Sequence, residues 1–271
     1  MSEERGGVVS EGVGEARGRL WTRREMIASG FVALLPPLWG CSSDPTGPSS
    51  EGSSPFMTVT WRPPTLTAGI GEMPLGLADE RDGLLYVPAS YDAAVATPLF
   101  VALHGAGGRA DNWRGLFDAC DARGMALLAI DARQVTWDRI RGSFGPDVVF
   151  LDRAMAHTFD RVNVDASRIV LGGFSDGASY ALSLGPANGS LFSRIIAFSP
   201  GFARPPEGRV GRPPIFVSHG TQDSILPVEN AREVIVPVFR DEGYEVEYVE
   251  FEGGHEVPPE IGSRALDWFL S

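Results

Sequence analysis

Three features of the sequence predict an α/β fold, a mostly parallel sheet covered by helices on both faces. From residue 57 onward, short apolar or β-branched runs alternate with segments of helical period. Two of those runs, 99–103 and 125–130, are apolar throughout, as expected of strands buried on both faces. The chain has 271 residues, 43% hydrophobic and 21% charged, which suffices for one domain with a full core.

Element by element, 57–61 and 84–87 read as short strands from their alternation and their β-branched and aromatic residues. The run 99–103 is a buried strand, 110–123 a helix and 125–130 a second buried strand. Val148, Leu151, Met155 and Phe159 recur three or four apart, so 147–159 is an amphipathic helix, with Asp147 placed to suit its dipole. Strand 168–172, helix 178–184 and strands 195–198 and 215–218 follow, then helix 228–240, strand 246–251 and helix 261–270. There is no internal repeat, no second domain and no insertion long enough for a large lid.

Composition excludes several functions. All 23 basic residues are arginines, so chemistry that needs an amine side chain, such as a P-loop lysine or a Schiff base, is unavailable. The net charge is −12, and the longest basic run is Arg23-Arg24, which argues against nucleic acid as a partner. Two cysteines, Cys41 and Cys120, and four histidines cannot build a disulfide framework or a Cys/His zinc module. No cofactor or metal is expected.

The amino end reads as a targeting segment. Arg23-Arg24 precedes a short apolar run, 26–38, which is too short to span a bilayer and matches the plan of a twin-arginine export signal. It closes on Leu38-Trp39-Gly40-Cys41, which resembles a bacterial lipoprotein box, although Trp39 stands where a small residue is usual. Residues 1–41 are therefore the expected signal, with Cys41 the lipidated residue. Residues 42–55, rich in Ser, Gly and Pro, form a linker and 56–271 the folded domain. Such a protein is exported from a bacterium, held at the cell envelope by the lipid, and has no other contact with the membrane. Cys120 shares an apolar stripe with Trp113, Leu116 and Phe117 and reads as a buried structural thiol.

Four segments carry the candidate chemistry, each directly after a predicted strand, where open parallel sheets bind ligands. Gly173-Phe174-Ser175-Asp176-Gly177 joins strand to helix, and its flanking glycines permit the strained turn that raises a serine hydroxyl. His104-Gly105-Ala106-Gly107-Gly108 brings backbone N–H groups close to a substrate oxygen; it lacks the lysine and the spacing of a phosphate loop. The amides of Ala106 and Asp176 are the expected oxyanion donors, and His104 is expected to shape the loop. His219-Gly220-Thr221-Gln222-Asp223 and Gly253-Gly254-His255 complete the set. Ser175, Asp223 and His255 thus occur in the chain order of a hydrolase triad: nucleophile, orienting acid, base. Asp176, adjacent to Ser175, cannot bridge to a distant histidine. Trp137, after strand 125–130, is a candidate pocket wall or a core residue. His157 lies among arginines on a helix and is assigned no chemistry.

On these motifs, residues 84–271 resemble an α/β-hydrolase of the carboxylesterase and phospholipase type. They resemble in particular the small exported esterases related to polyhydroxybutyrate depolymerases and feruloyl esterases. The resemblance implies a serine esterase that cuts short or small carboxylic esters through an acyl-enzyme. The alternatives are a phospholipase or polyester depolymerase on the same fold, or a surface lipoprotein that binds without turnover.

Overall fold

The computed structural model describes residues 54–271. The expected export signal, the lipidation residue Cys41 and most of the linker lie outside the described residues. Among the described residues, no helix is long and apolar enough to cross a membrane.

Eight strands form one sheet in the order β1-β2-β4-β3-β5-β6-β7-β8. They are β1 (Gly71–Pro74), β2 (Gly83–Val87), β3 (Thr97–Leu103), β4 (Ala126–Ile130), β5 (Val164–Phe174), β6 (Arg194–Phe198), β7 (Ile215–Gly220) and β8 (Val246–Phe251). The pairs β1/β2 and β2/β4 are antiparallel, and every other pair is parallel. The helices are α1 (Phe117–Arg123), α2 (Asp138–Arg141), α3 (Pro146–Phe159), α4 (Asp176–Leu184), α5 (Val236–Asp241) and α6 (Pro259–Leu270).

Alternation along the central strands divides the core into two layers. Leu99, Val101 and Leu103 of β3 join α3 and α4 on one face. Phe100 and Ala102 point the other way, into a cluster with Trp113, Cys120 and α6 residues Leu266 and Phe269. Burial pushes the Cys120 thiol up to about 12, so it is an inert core residue.

The fold departs from the expected elements in several places. Segment 57–61 is not a strand: Asp152 accepts the Thr58 and Val59 amides at 2.9 and 2.8 Å, and Asn188 Oδ1 accepts the Met57 amide at 2.8 Å. Side chains satisfy this backbone in place of a neighbouring strand. The true edge strand is β1, whose glycine and proline hide it from a propensity reading, although Pro74 is tolerated at an edge. The expected helix 110–123 begins as a tight 3-10 segment, Ala110–Leu116, before α1. The expected helix 228–240 opens with a wide π turn, Asn230–Ile235, that runs into α5. Pro237, which has no N–H to donate, sits just beyond that turn.

Candidate active site

Ser175 sits between β5 and α4, at φ 57° and ψ −119°. A non-glycine residue at this positive φ costs on the order of 1–3 kcal/mol, which the surroundings must offset. The Ser175 amide donates to Phe198 O of β6 at 2.9 Å, and the Ser179 amide returns to Ser175 O at 3.0 Å. The flanking glycines are needed for space. A Cβ on Gly173 would stand 2.3 Å from the Gly177 carbonyl carbon, and one on Gly177 would stand 2.1 Å from Leu103 O. The turn therefore packs directly against the end of β3, from which loop 104–108 departs.

The loops after β7 and β8 are bonded to each other, with the Gln222 amide donating to Gly253 O at 2.8 Å and the Thr221 amide to Phe251 O at 2.9 Å. This brings Asp223 and His255 together. His255 Nδ1 is 2.6 Å from Asp223 Oδ2, and His255 Nε2 is 2.8 Å from Ser175 Oγ. Asp223 Oδ1 accepts the amides of Ile225 and Leu226, each at 2.9 Å, which fixes the carboxylate. Burial alone would raise the Asp223 carboxyl. Hydrogen bonds from His219 and His255 and from the Leu226 amide outweigh burial and hold it well below the usual carboxylate range. The Asp223 side chain is wholly buried and that of His255 is 15% exposed, so the run opens to solvent at its histidine and serine end. Such a run can pass the serine proton to the imidazole while the carboxylate holds the ring.

Loop 104–108 lies against the serine: a Cβ on Gly105 would be 3.3 Å from Ser175 Cβ. The Gly107 and Gly108 amides are committed to Val135 O and Gly105 O, at 2.8 and 3.0 Å. Ala106 is exposed on this loop, and Asp176 opens α4 beside Ser175, so both amides lie on segments that border the hydroxyl. His104 Nε2 accepts the Ala132 amide at 3.0 Å, so the proton is on Nδ1, which donates to Gly105 O at 2.6 Å. Burial pushes this imidazole down to about 4, and it stays neutral. Arg81 steadies the same loop, donating to Gly108 O at 3.2 Å and also to Ala132 O.

Trp137 is fully buried. Its Nε1 donates to His104 O at 2.8 Å, and its ring lies against His104 and Tyr180 with centroids 4.9 and 5.1 Å away. It therefore supports the loop from within the core and presents no face to open space. His157 is half-buried, and burial lowers its pKa. Among the described residues, no cluster of His, Cys, Asp or Glu could hold a metal ion.

Two contacts escaped the sequence reading. His219 Nε2 stands 3.3 Å from Asp223 Oδ2, and Thr136 Oγ1 donates to Asp176 Oδ2 at 2.5 Å. The first was signalled only by its place four residues before Asp223; the second had no signal.

The fold is matched by solved structures. Esterase PE8 superposes with a TM-score of 0.58 at 23% identity, covering 69% of this chain and 98% of that one. The chain has the α/β-hydrolase fold. A thermophilic esterase from the Planctomycetes species Thermogutta terrifontis, Est2 with butyrate bound, gives 0.56 at 22% identity, covering 74% of this chain and 93% of that one. Residues 148–267 match the Phospholipase/Carboxylesterase family model, a span that contains Ser175, Asp223 and His255. A protein named Probable feruloyl esterase C, from Aspergillus oryzae, is 29% identical over 178 residues. That alignment covers 61% of this chain and 62% of the relative's length.

Proposed function

We propose that the protein is a serine hydrolase of carboxylic esters. Ser175 is the nucleophile, His255 the base, and Asp223 the acid that orients the imidazole and stabilises the imidazolium. The observation that carries this reading is the continuous run from Ser175 Oγ to His255 at 2.8 Å and from His255 to Asp223 at 2.6 Å. In the reaction, Ser175 Oγ adds to the ester carbonyl as its proton passes to His255. The amides of Ala106 and Asp176 hold the oxygen that becomes negative. The intermediate collapses, the alcohol leaves with the proton from His255, and water releases the acyl group by the same steps in reverse order.

Short or small esters are the proposed substrates. The reading is supported by the lack of a lid-sized insertion among the described residues and by the butyrate in the thermophilic esterase of the same fold. Export with lipid on Cys41 belongs to the same proposal, supported by Arg23-Arg24, the apolar run and the Leu38–Cys41 motif. Wild type should take up labelled lipid and Cys41→Ala should not; equal labelling of the two overturns the anchor. For the chemistry, p-nitrophenyl esters of graded chain length should be turned over, and a fluorophosphonate should label wild type and spare Ser175→Ala. A Ser175→Ala protein that keeps substantial esterase activity overturns the reading.

A further inference from the structure

The two arms proposed to hold the oxyanion belong to different elements, loop 104–108 after β3 and the start of α4. Residues 135–137 join them. Val135 O accepts the Gly107 amide at 2.8 Å, and Trp137 Nε1 donates to His104 O at 2.8 Å, so two of these residues grip the first arm. Thr136 reaches the other way, donating from Oγ1 to Asp176 Oδ2 at 2.5 Å. Trp137 repeats the bridge in packing, between the His104 ring and Tyr180 of α4. The bridge is itself anchored at both ends. The Asp147 carboxylate accepts the Arg133 amide at 2.5 Å and the Asp138 amide at 2.6 Å, which ties the segment to α3.

We propose that Thr136 is a positioning residue that locks the Asp176 side chain and so fixes the spacing between the two oxyanion donors. The proposal rests on the serine-esterase reading given above. Two physical effects act together. An oxyanion hole stabilises a transition state only if its donors are already in place, and Thr136 supplies the one side-chain hydrogen bond from this bridge to the α4 arm. The Asp176 carboxylate also neighbours a site where negative charge develops. An unrestrained carboxylate there would oppose that charge, and the hydroxyl holds it to one position.

The test is the ester kinetics of Thr136→Val, which keeps the shape and removes the hydroxyl, beside Thr136→Ser, which keeps the hydroxyl. A soluble trifluoromethyl ketone reports on the oxyanion site directly. Ser175 Oγ adds to its carbonyl carbon, the serine proton passes to His255, and the hemiketal oxygen takes the negative charge. Thr136→Val should lower kcat about tenfold, leave KM within about twofold, and weaken ketone inhibition in proportion to the loss in kcat/KM. Thr136→Ser should restore most of the loss. Asp176→Ala removes the acceptor together with the opposing charge, so it should lower kcat no more than Thr136→Val does, and Thr136→Val should add no loss in that background. Wild-type kinetics for Thr136→Val, equal damage in Thr136→Ser, or additive losses in the double variant each overturn the proposal. An inactive Ser175→Ala beside an unimpaired Thr136→Val sinks the positioning role alone. An active Ser175→Ala sinks the esterase reading beneath it.

Discussion

Nε2 of His219 stands 3.3 Å from Oδ2 of Asp223, the oxygen that also faces His255 at 2.6 Å. The same Nε2 is 2.8 Å from Leu226 O, which can only accept, so Nε2 carries the proton and shares it between the carbonyl and the carboxylate. His219→Phe keeps the ring and loses the donor. It leaves a half-buried carbonyl unmet and relaxes one of the bonds that hold Asp223 ionised, costing about 1–3 kcal/mol of stability. Activity should fall about tenfold, less than for Asp223→Asn, because His255 keeps its partner. Unfolding in denaturant and kcat measured side by side would check both.

The proposed triad should behave as a unit. Ser175→Ala and His255→Ala should each cost on the order of 10⁴–10⁶ in kcat, and the double variant little more. Asp223→Asn should cost somewhat less, on the order of 10⁴, since it removes only the orienting charge. Asp176→Asn should be milder still, because the amide oxygen can still accept from Thr136 and the backbone N–H is untouched. Equal damage from Asp176→Asn and Asp223→Asn would put the acid in the wrong place.

The parallel part of the sheet was legible because its strands carry their burial in the sequence. The residues of β3 from 97 to 103 are all buried, and no half-exposed helix has that pattern. The glycines around Ser175 were legible for a similar reason, since a local turn needs local residues. Segment 57–61 misled because β-like alternation cannot reveal a carboxylate, that of Asp152, reaching it from 94 residues away in the chain. Thr136 was missed on the same physics: its bond to Asp176 spans 40 residues and joins a loop without periodicity to the start of α4. For Trp137, a candidate pocket wall or a core residue in the sequence, the choice depends on Tyr180 and His104, and the sequence does not position them against its ring.

Gly177→Ala should be among the more damaging single-methyl changes in the chain. The added Cβ would meet Leu103 O at 2.1 Å and His104 O at 2.6 Å, both backbone atoms that cannot rotate away. Overpacking of this kind costs about 1–3 kcal/mol. The strand end it displaces leads into loop 104–108, so kcat should fall together with the melting temperature. Gly69→Ala is the control: its Cβ would meet only Met73 Cε at 3.8 Å, and its effect should stay within about 0.5 kcal/mol. Similar melting temperatures for the two variants would mean that the elbow has slack the geometry does not suggest.

Asp138 and Asp147 should govern part of the pH dependence of stability. Each accepts the other's backbone amide, Asp138 N to Asp147 Oδ2 at 2.6 Å and Asp147 N to Asp138 Oδ2 at 2.9 Å. Burial, with the neighbouring Asp147 carboxylate, pushes the Asp138 carboxyl up to about 6. A folded-state pKa above the unfolded value of about 4 means that the folded protein binds the proton more tightly. Its contribution is complete below pH about 4 and is lost as pH rises to about 6. His104 acts in the opposite sense over nearly the same window. Burial pushes it down to about 4, so stability drops as pH falls from about 6.5 towards 4 and the unfolded chain takes up the proton. In wild type the two slopes offset each other. Asp138→Asn keeps the bond to the Asp147 amide and removes the titration, which leaves the His104 slope uncovered. Relative to wild type, the variant should be more stable at pH 7.5 by on the order of 1–2 kcal/mol, reduced from the full shift because Asp138 is partly exposed. That advantage should shrink steadily to nothing near pH 4. Melting temperatures of both proteins at half-unit steps from pH 4 to 8 would show it, and a constant difference across that range would remove Asp138 from the account.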